Sequence, residues 1–440
     1  MTALRARVRA GGRLGLGAGL GAGGGDWTRA GAAARLGGRR SALRSASSEN
    51  PHPEQALAEI WRSIGPTSGF EAAFVLLFAS SHHDFHAVAE AARRLPGAPP
   101  IFGCTTAGEI GPQGYSEGGI VAVAFDARRF RLAASRLIPL LDFTLREGEA
   151  LLRRELAPYA APPPSGGRRR FGLCLVDGLS TQVEAFVSVA GAALGTTPLY
   201  GGAAADGMSF GRTWLLAGGR VHAEAGLICV VETDLDVEGI QFDHLEPTDV
   251  KFVVTEADPE RRIVHELNAV PAAEEYARVV GVAPQDLSPF VFAAHPLVVR
   301  VGGAHHVRAV QRVLEGRHLK FYCAIDEGLV LTMAHGLPMA EQLERRLSAI
   351  DERRRRGVLA FDCVLRRIEA EQTQQSGRIS DVLRRFGVVG FNTYGEQLGS
   401  VHANQTFTAI SFSEPEPRFG RLEGGRKEAA ERPDEARHDF

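Results

Sequence analysis

Residues 390–396 read GFNTYGE, a turn of small and polar residues set between two apolar runs. Two relatives of that turn stand far upstream, GCTTAGE at 103–109 and GGAAADG at 201–207. Around each of them the chain repeats itself. Ahead of the first lie AAFVLLFAS (72–80), an apolar run of strand length, and DFHAVAEAARRLPG (84–97), apolar at helical spacing and stopped by Pro-Gly. Behind it follow GGIVAVAF (118–125) and FRLAASRLI (130–138), two further strands. The second copy runs FGLCLVD, QVEAFVSVAGAALG, PLYGGAAADG, a hairpin about Gly218-Gly219, and AGLICVVE. The third runs GVLAFDCVLRRIE, GRISDVLRRFG, VVGFNTYGEQ and HANQTFTAISF. Strand, helix, strand, small-residue turn, strand: a unit that recurs this way predicts a duplicated architecture. The expected class is α/β (α+β), two domains of repeated units with mixed sheets.

The 440 residues allow two or three domains with real cores. Apolar content of 44% and charged content of 23% are those of a globular protein, and a formal net charge of −2 gives no general pull toward nucleic acid or anionic membrane. No apolar run approaches the length of a spanning helix. Five cysteines stand singly, without CxxC spacing, and most fall in apolar runs. They read as reduced core thiols of a cytoplasmic protein rather than as metal ligands. Residues 1–50 are rich in Gly, Ala and Arg, and residues 413–440 are charged and rich in Pro and Gly; both are expected to be disordered. The arginine run 353–356 is expected to end a solvated helix, since it has no interleaved aromatics for stacking on bases.

Small residues at a strand end let a ligand or a helix end approach the backbone. Thr105, Thr106, Asn392 and Thr393 carry hydroxyls or an amide there, and Glu109 and Glu396 supply acceptors. The same residues equally serve to satisfy local backbone donors. Arg366 and Arg367, read on a strand, point to opposite faces; one reaches an anionic ligand, or both make surface ion pairs.

IFGCTTAGEI with GYSEGGIVAVAF, and PLYGGAAADG with LICVVE, resemble the N-terminal FIST domain. VTEADPERRIVHELNAVPAAEEYARVVG, FDCVLRRIE and GFNTYGEQ with HANQTFTAISF resemble the FIST C-terminal domain. The resemblance covers roughly 55–412, divided as 55–247 and 248–412. It implies a sensory, ligand-binding module of signal transduction. The FNTYGEQ and DCVLRR forms look most like bacterial members proposed as haem-based nitric-oxide sensors. Those act on a partner histidine kinase or on cyclic-di-GMP enzymes.

That resemblance places haem b, a small ligand or nitric oxide in a C-terminal cleft. Its expected lining is Asn392, Thr393, Tyr394, Glu396, His402, Asn404, Gln405, Thr406, Arg366 and Arg367, with Thr105 and Thr106 from the first turn. His402, at a motif position, is the expected axial metal ligand; the competing reading is a histidine hydrogen-bonded within the domain. His82, His83 and His86, clustered at the start of the first helix, and His305 and His306, ahead of an expected helix, are the reserve candidates. A haem-free sensor of a small anionic metabolite such as an amino acid, or a protein scaffold, fits the same residues. No GxSxG, HExxH or P-loop motif is present, and the chain is not expected to be an enzyme, although Cys104 or Thr105 would be the nucleophile if it were.

Overall fold

The computed structural model describes residues 41–66, 69–163, 167–301 and 304–416. Three six-stranded mixed sheets form its body. Each is founded on a parallel pair from one repeat: Ala72–Ser80 with Ile101–Thr106, Arg169–Val176 with Leu199–Ala203, and Arg355–Cys363 with Val388–Thr393. The crossover helices Phe85–Arg93, Val183–Leu194 and Ser376–Phe386 join the pairs. The closing strands Ile120–Asp126, Ala225–Thr233 and Phe407–Ser413 return antiparallel to the first strand of each pair. Strands buried on both faces explain the unbroken apolar runs.

Every sheet also borrows. After its turn, each repeat makes a short hairpin, and the hairpin joins a neighbour's sheet. That of repeat 1 (Glu109–Gly111, Gly114–Ser116) pairs with repeat 3, and that of repeat 2 (Leu215–Ala217, Arg220–His222) pairs with repeat 1. The hairpin of repeat 3 (Glu396–Leu398, Val401–Ala403) pairs with repeat 2. The outermost strands circulate the other way. Phe130–Pro139 leaves repeat 1 for the sheet of repeat 2, and Asp236–Phe242 leaves repeat 2 for that of repeat 3. In the sheet of repeat 1 the equivalent place is filled by Leu43–Ser48, from the start of the described chain. The result is a closed pseudo-threefold ring.

The three inner faces meet in a phenylalanine core. Phe74 stacks on Phe125 at 4.2 Å and Phe78 on Phe391 at 4.5 Å, while Phe412 meets Phe130 edge-on at 5.1 Å. Such pairs add about 1 kcal/mol each to their burial. Helices cover the outer faces. A fourth sheet of eight strands, from Leu245–Asp258 to Val330–Gly336, is inserted between repeats 2 and 3 with its own core around Phe252, Tyr276, Phe292 and Phe321.

Several expectations change. Leu43–Ser48, read as disordered arm, is a strand, because its buried face packs onto repeat 1; residues 1–40 lie outside the described residues. Ser413 ends a closing strand and Glu414 pairs with Arg129 and Arg356, so the ordered chain reaches into the expected tail; 417–440 lie outside the described residues. Arg355 and Arg356 open a buried strand rather than end a helix, with Arg355 over the Phe386 ring at 5.0 Å. Arg366 and Arg367 lie on a helix, Val364–Gln372, that begins where their strand stops at Cys363. His305 and His306 lie on a strand, Ala304–Val307, paired with Leu297–Val301.

Candidate functional site

The three turns meet, and backbone bonds tie them into a triangle. The amide of Ala107 donates to Asn392 O (3.0 Å), that of Ala205 to Thr105 O (3.0 Å), and that of Tyr394 to Ala203 O (3.2 Å). A second set returns the opposite way between the same turns in two of three cases: Asn392 N to Gly108 O, and Ala203 N to Gly395 O. In the third case Thr105 N donates to Trp214 O. Pairing registers agree, since Glu109 faces Phe391, Glu396 faces Gly202 and Leu215 faces Cys104. The counterpart of the two turn glutamates is therefore Leu215, not Gly207. Between Ala205 and Trp214 the second turn carries eight additional residues, Asp206–Thr213, and they break the threefold.

Gly103, Gly201 and Gly390 explain the glycine that opens each turn. A Cβ there would strike the carbonyl oxygen of Leu77, Cys174 or Ala360 on the paired strand. In the two complete turns a Thr-x-x-Glu staple follows. Thr106 Oγ1 donates to Glu109 Oε1 at 2.6 Å, and Gly119 N donates to the other oxygen. Thr393 donates to Glu396, and Thr406 donates to it from both its amide and its hydroxyl (2.6 Å). Burial raises the Glu109 carboxyl to about 7 and that of Glu396 to about 8, against the opposing pull of the threonine hydrogen bonds. In the second repeat Asp177 takes this place, accepting from Thr213 Oγ1 and from Glu224 N.

A cavity of about 510 Å³ lies where the inserted loop stands. The loop contributes Asp206, Gly207, Met208, Ser209, Gly211 and Arg212. Helix Val364–Gln372 contributes Val364, Arg367, Ile368 and Glu371, one face at i, i+3, i+4 and i+7. Ser81, His82, Ala107 and Glu117 of repeat 1 complete the wall.

Arg367 is held on several sides. Nη1 donates to Ser116 O (2.7 Å) and Asn392 Oδ1 (3.1 Å), Nε donates to Glu371 (3.0 Å), and Nη2 stands 3.4 Å from Glu117. Asp206 is buried, accepts the Tyr394 hydroxyl and, through Oδ2, the amides of Gly211 (2.7 Å) and Arg212 (2.8 Å), so it shapes the loop. The Arg212 guanidinium lies over the Trp214 ring at 5.0 Å and has no hydrogen bond or ion pair among the described residues. Below the loop Phe210, Tyr322 and Tyr394 pack ring to ring at 5.1–5.8 Å, and the buried Tyr322 hydroxyl has no partner among the described residues.

The expected site residues thus separate. Arg367 lines the cavity, Asn392 holds its guanidinium, and Tyr394 holds Asp206. Thr105 is buried and accepts from Trp214 N; Thr106, Thr393, Glu396 and Thr406 are the staples described above. Asn404 donates to Tyr394 O and Gln405 to Ala293 O. Arg366 faces away from the cavity into a buried network. It pairs with Asp362 at 2.7 Å and donates to His244 Nδ1 at 2.7 Å, and His244 Nε2 donates to Glu369 at 2.8 Å. Tyr115 also donates to Asp362. Cys104 is fully buried, and that burial raises its thiol far above the usual range.

His402 lies on the repeat 3 hairpin, away from this cavity. Its Nδ1 stands 3.2 Å from Gln397 Nε2, and a Cβ on Gly395 would strike its Cε1 and Nε2, so backbone closes that edge of the ring. Burial lowers the imidazole to about 4. The neighbours at the ring, Gln397 and the Gly395 backbone, are polar, whereas a haem is held in an apolar slot. His83 is buried against Gly118 O, His86 packs on Trp214, and among the five reserve histidines His82 alone lines the cavity. No group of three or more His, Cys, Asp or Glu residues placed to hold a metal ion occurs among the described residues. No helix among them is long and apolar enough to cross a membrane.

Sequence reasoning missed the inserted loop, Ser81, Glu117 and the Val364/Ile368/Glu371 face. Counting from the opening glycine to the closing strand exposes the surplus, since Gly201 stands 24 residues before Ala225 while Gly103 stands 17 before Ile120 and Gly390 17 before Phe407.

The FIST N domain matches residues 73–270 and the FIST C domain residues 272–398. An uncharacterized protein of Methanocaldococcus jannaschii is 24% identical over 355 residues, 71% of this chain and 67% of that one. Strands of both matched segments share two of the three ring sheets. With both domains present in succession, the chain belongs to the FIST family.

Proposed function

We propose that the chain is a sensory ligand-binding protein whose ligand occupies the cavity under the Asp206–Thr213 loop. FIST domains are associated with sensory signal transduction, which supports a sensor over a bare scaffold. The observation that carries the proposal is the break in symmetry. Two turns are closed by stapled glutamates, and the third is opened by a loop that raises a cavity beside a buried, fixed arginine. A volume of about 510 Å³ is that of a small-molecule site. Its walls offer Arg367 and Arg212 to an anionic group and Glu117 and Glu371 to a cationic one. A small zwitterion, an amino acid being the simplest, matches both signs.

Helix Val364–Gln372 connects the cavity to the rest of the molecule. Arg367 faces the ligand, while Arg366 and Glu369 grip His244, two residues after an outer ring strand and just ahead of the fourth sheet. A ligand that prefers one position of this helix biases that junction. A partner enzyme, a histidine kinase or a cyclic-di-GMP enzyme, would read the shift.

Calorimetric titration with the amino acids one at a time tests the reading, with Arg367→Ala alongside. One compound or a narrow class is expected to bind, and the variant to weaken it about tenfold or more, assayed at a temperature where the variant, less stable for the loss of its buried hydrogen bonds, is still folded. Silence across the panel, or binding untouched by the variant, removes the cavity as the site. A stoichiometric haemin Soret band that disappears in His402→Ala would move the ligand to the repeat 3 hairpin.

A further inference from the structure

At one end of the fourth sheet, strand His318–Phe321 lies between Ile263–Leu267 and the edge strand Val310–Leu314. Leu319 and Phe321 face the core, so His318 and Lys320 face the other way. Arg312 stands directly opposite Lys320 in the register. His265 meets His318 across the strands, with Nδ1 atoms 3.2 Å apart and rings at 82°. Arg261 is exposed in the turn that leads into this strand. One face therefore carries Arg312, Lys320, His318 and His265 in a strip.

Nothing acidic compensates it. Arg261, Arg312 and Lys320 have no ion pair among the described residues. Burial first, and then Arg312, Arg262 and Arg261, push the Lys320 ammonium below its usual range. By contrast, Arg129, Arg354 and Arg367 each touch two acids. Like charges directly opposed on neighbouring strands destabilise a sheet. A cross-strand cation pair of this kind costs the free protein stability and gains its return only when an anion lies on it.

We propose that this strip docks an acidic, extended segment of a partner protein. Strand Val310–Leu314 is the last in its sheet, so one side of Arg312 is open to an added chain running along the edge. Carboxylates spaced along that segment would meet Arg312, Lys320 and Arg261. A protein segment fits better than nucleic acid. The strip crosses three strands, carries no Phe, Tyr or Trp on which a base stacks, and ends at a sheet edge whose backbone can pair with another polypeptide. The inference stands apart from the ligand cavity and does not depend on it.

Fluorescence anisotropy of a labelled peptide alternating Glu and Val, titrated with the full chain at low salt, tests the proposal. Arg312→Glu and Lys320→Glu are each expected to weaken binding about tenfold or more. Arg312→Glu should also melt no lower than the parent, since it replaces a repulsive cross-strand pair by an attractive one. That combination, affinity lost and stability kept, distinguishes a docking strip from a structural one. Binding unchanged in both variants overturns the proposal. So does a melting temperature that falls in Arg312→Glu. Tighter binding of polyphosphate than of the peptide, lost in the same variants, would give the strip to a phosphate ligand and overturn it as well.

Discussion

The turns of repeats 1 and 3 and the turn of repeat 2 occupy equivalent corners of one backbone triangle, yet they are built differently. The first two close on themselves with a buried Thr–Glu staple. The second has Ala204 where the others have threonine and Leu215 where they have glutamate, and it spends eight residues on a loop. Its carboxylate comes instead from Asp177, at the end of the first strand. The backbone bonds are what the junction requires; the side-chain staple is one of two ways to finish a corner. Relaxing one corner made room for a cavity without disturbing the ring.

The sharpest break of that comparison is at the glycines. Gly390→Ala drives a methyl group into the Ala360 carbonyl, which belongs to backbone that has no room to move, and should cost on the order of 4 kcal/mol or more. Gly218→Ala, in the repeat 2 hairpin, meets open space and a φ of +58°, and should cost about 1 kcal/mol. Urea denaturation compares the two; equal losses would show that the close approach is not limiting. Next in size is Arg366→Met. It strands the buried Asp362 and should cost about 3–5 kcal/mol, with much of the loss recovered by adding Asp362→Asn.

Leu215→Glu asks whether repeat 2 tolerates the residue its sisters use. The partner hydroxyl is missing at Ala204, so the new carboxyl is buried without its staple. A loss of about 2 kcal/mol or more is expected near pH 8 and a smaller one near pH 5. Equal stability at both would show that the corner is wetter than its burial implies. The natural staples set a pH slope of their own. Glu396 and Glu109 hold their protons up to about 8 and about 7, above the ordinary 4.5, so the folded state binds more protons than the unfolded one. Their contribution is complete below pH 4.5 and is lost as the pH rises through 7 to 8. Melting temperature should fall across that window, and Glu396→Gln should flatten the fall while leaving the part due to Glu109. A slope unchanged in the variant would assign it to other groups.

The repeats were legible in the sequence because each strand is buried on both faces and reads as an apolar run, and because Pro-Gly or Gly stops each first helix. The exchange of hairpins was not. Three-residue strands such as Glu109–Gly111 carry no period, and nothing local tells a hairpin which sheet it will join. Arg367 was legible as an anion-seeking residue, but its backbone was not: the change from strand to helix falls between Cys363 and Val364, inside an apolar run with no cap residue to mark it. Arg366 looked the same as its neighbour on paper. One position along a helix turns the side chain by about 100°, enough to send one arginine to the cavity and the other to Asp362. His402 drew attention through the family motif, and the motif's glycine, Gly395, is what packs against it.

The borrowed hairpins also set the order in which the chain can be finished as it is synthesised. The sheet of repeat 1 has all its strands once residue 222 has emerged, whereas that of repeat 2 waits for residue 403 and that of repeat 3 for residue 413. Until then the strand Leu199–Ala203 has one side unpaired, an edge open to any passing strand. Neither FIST segment is a self-sufficient unit of expression, and a ribosome that stalls between them releases a chain with a waiting edge and no partner of its own.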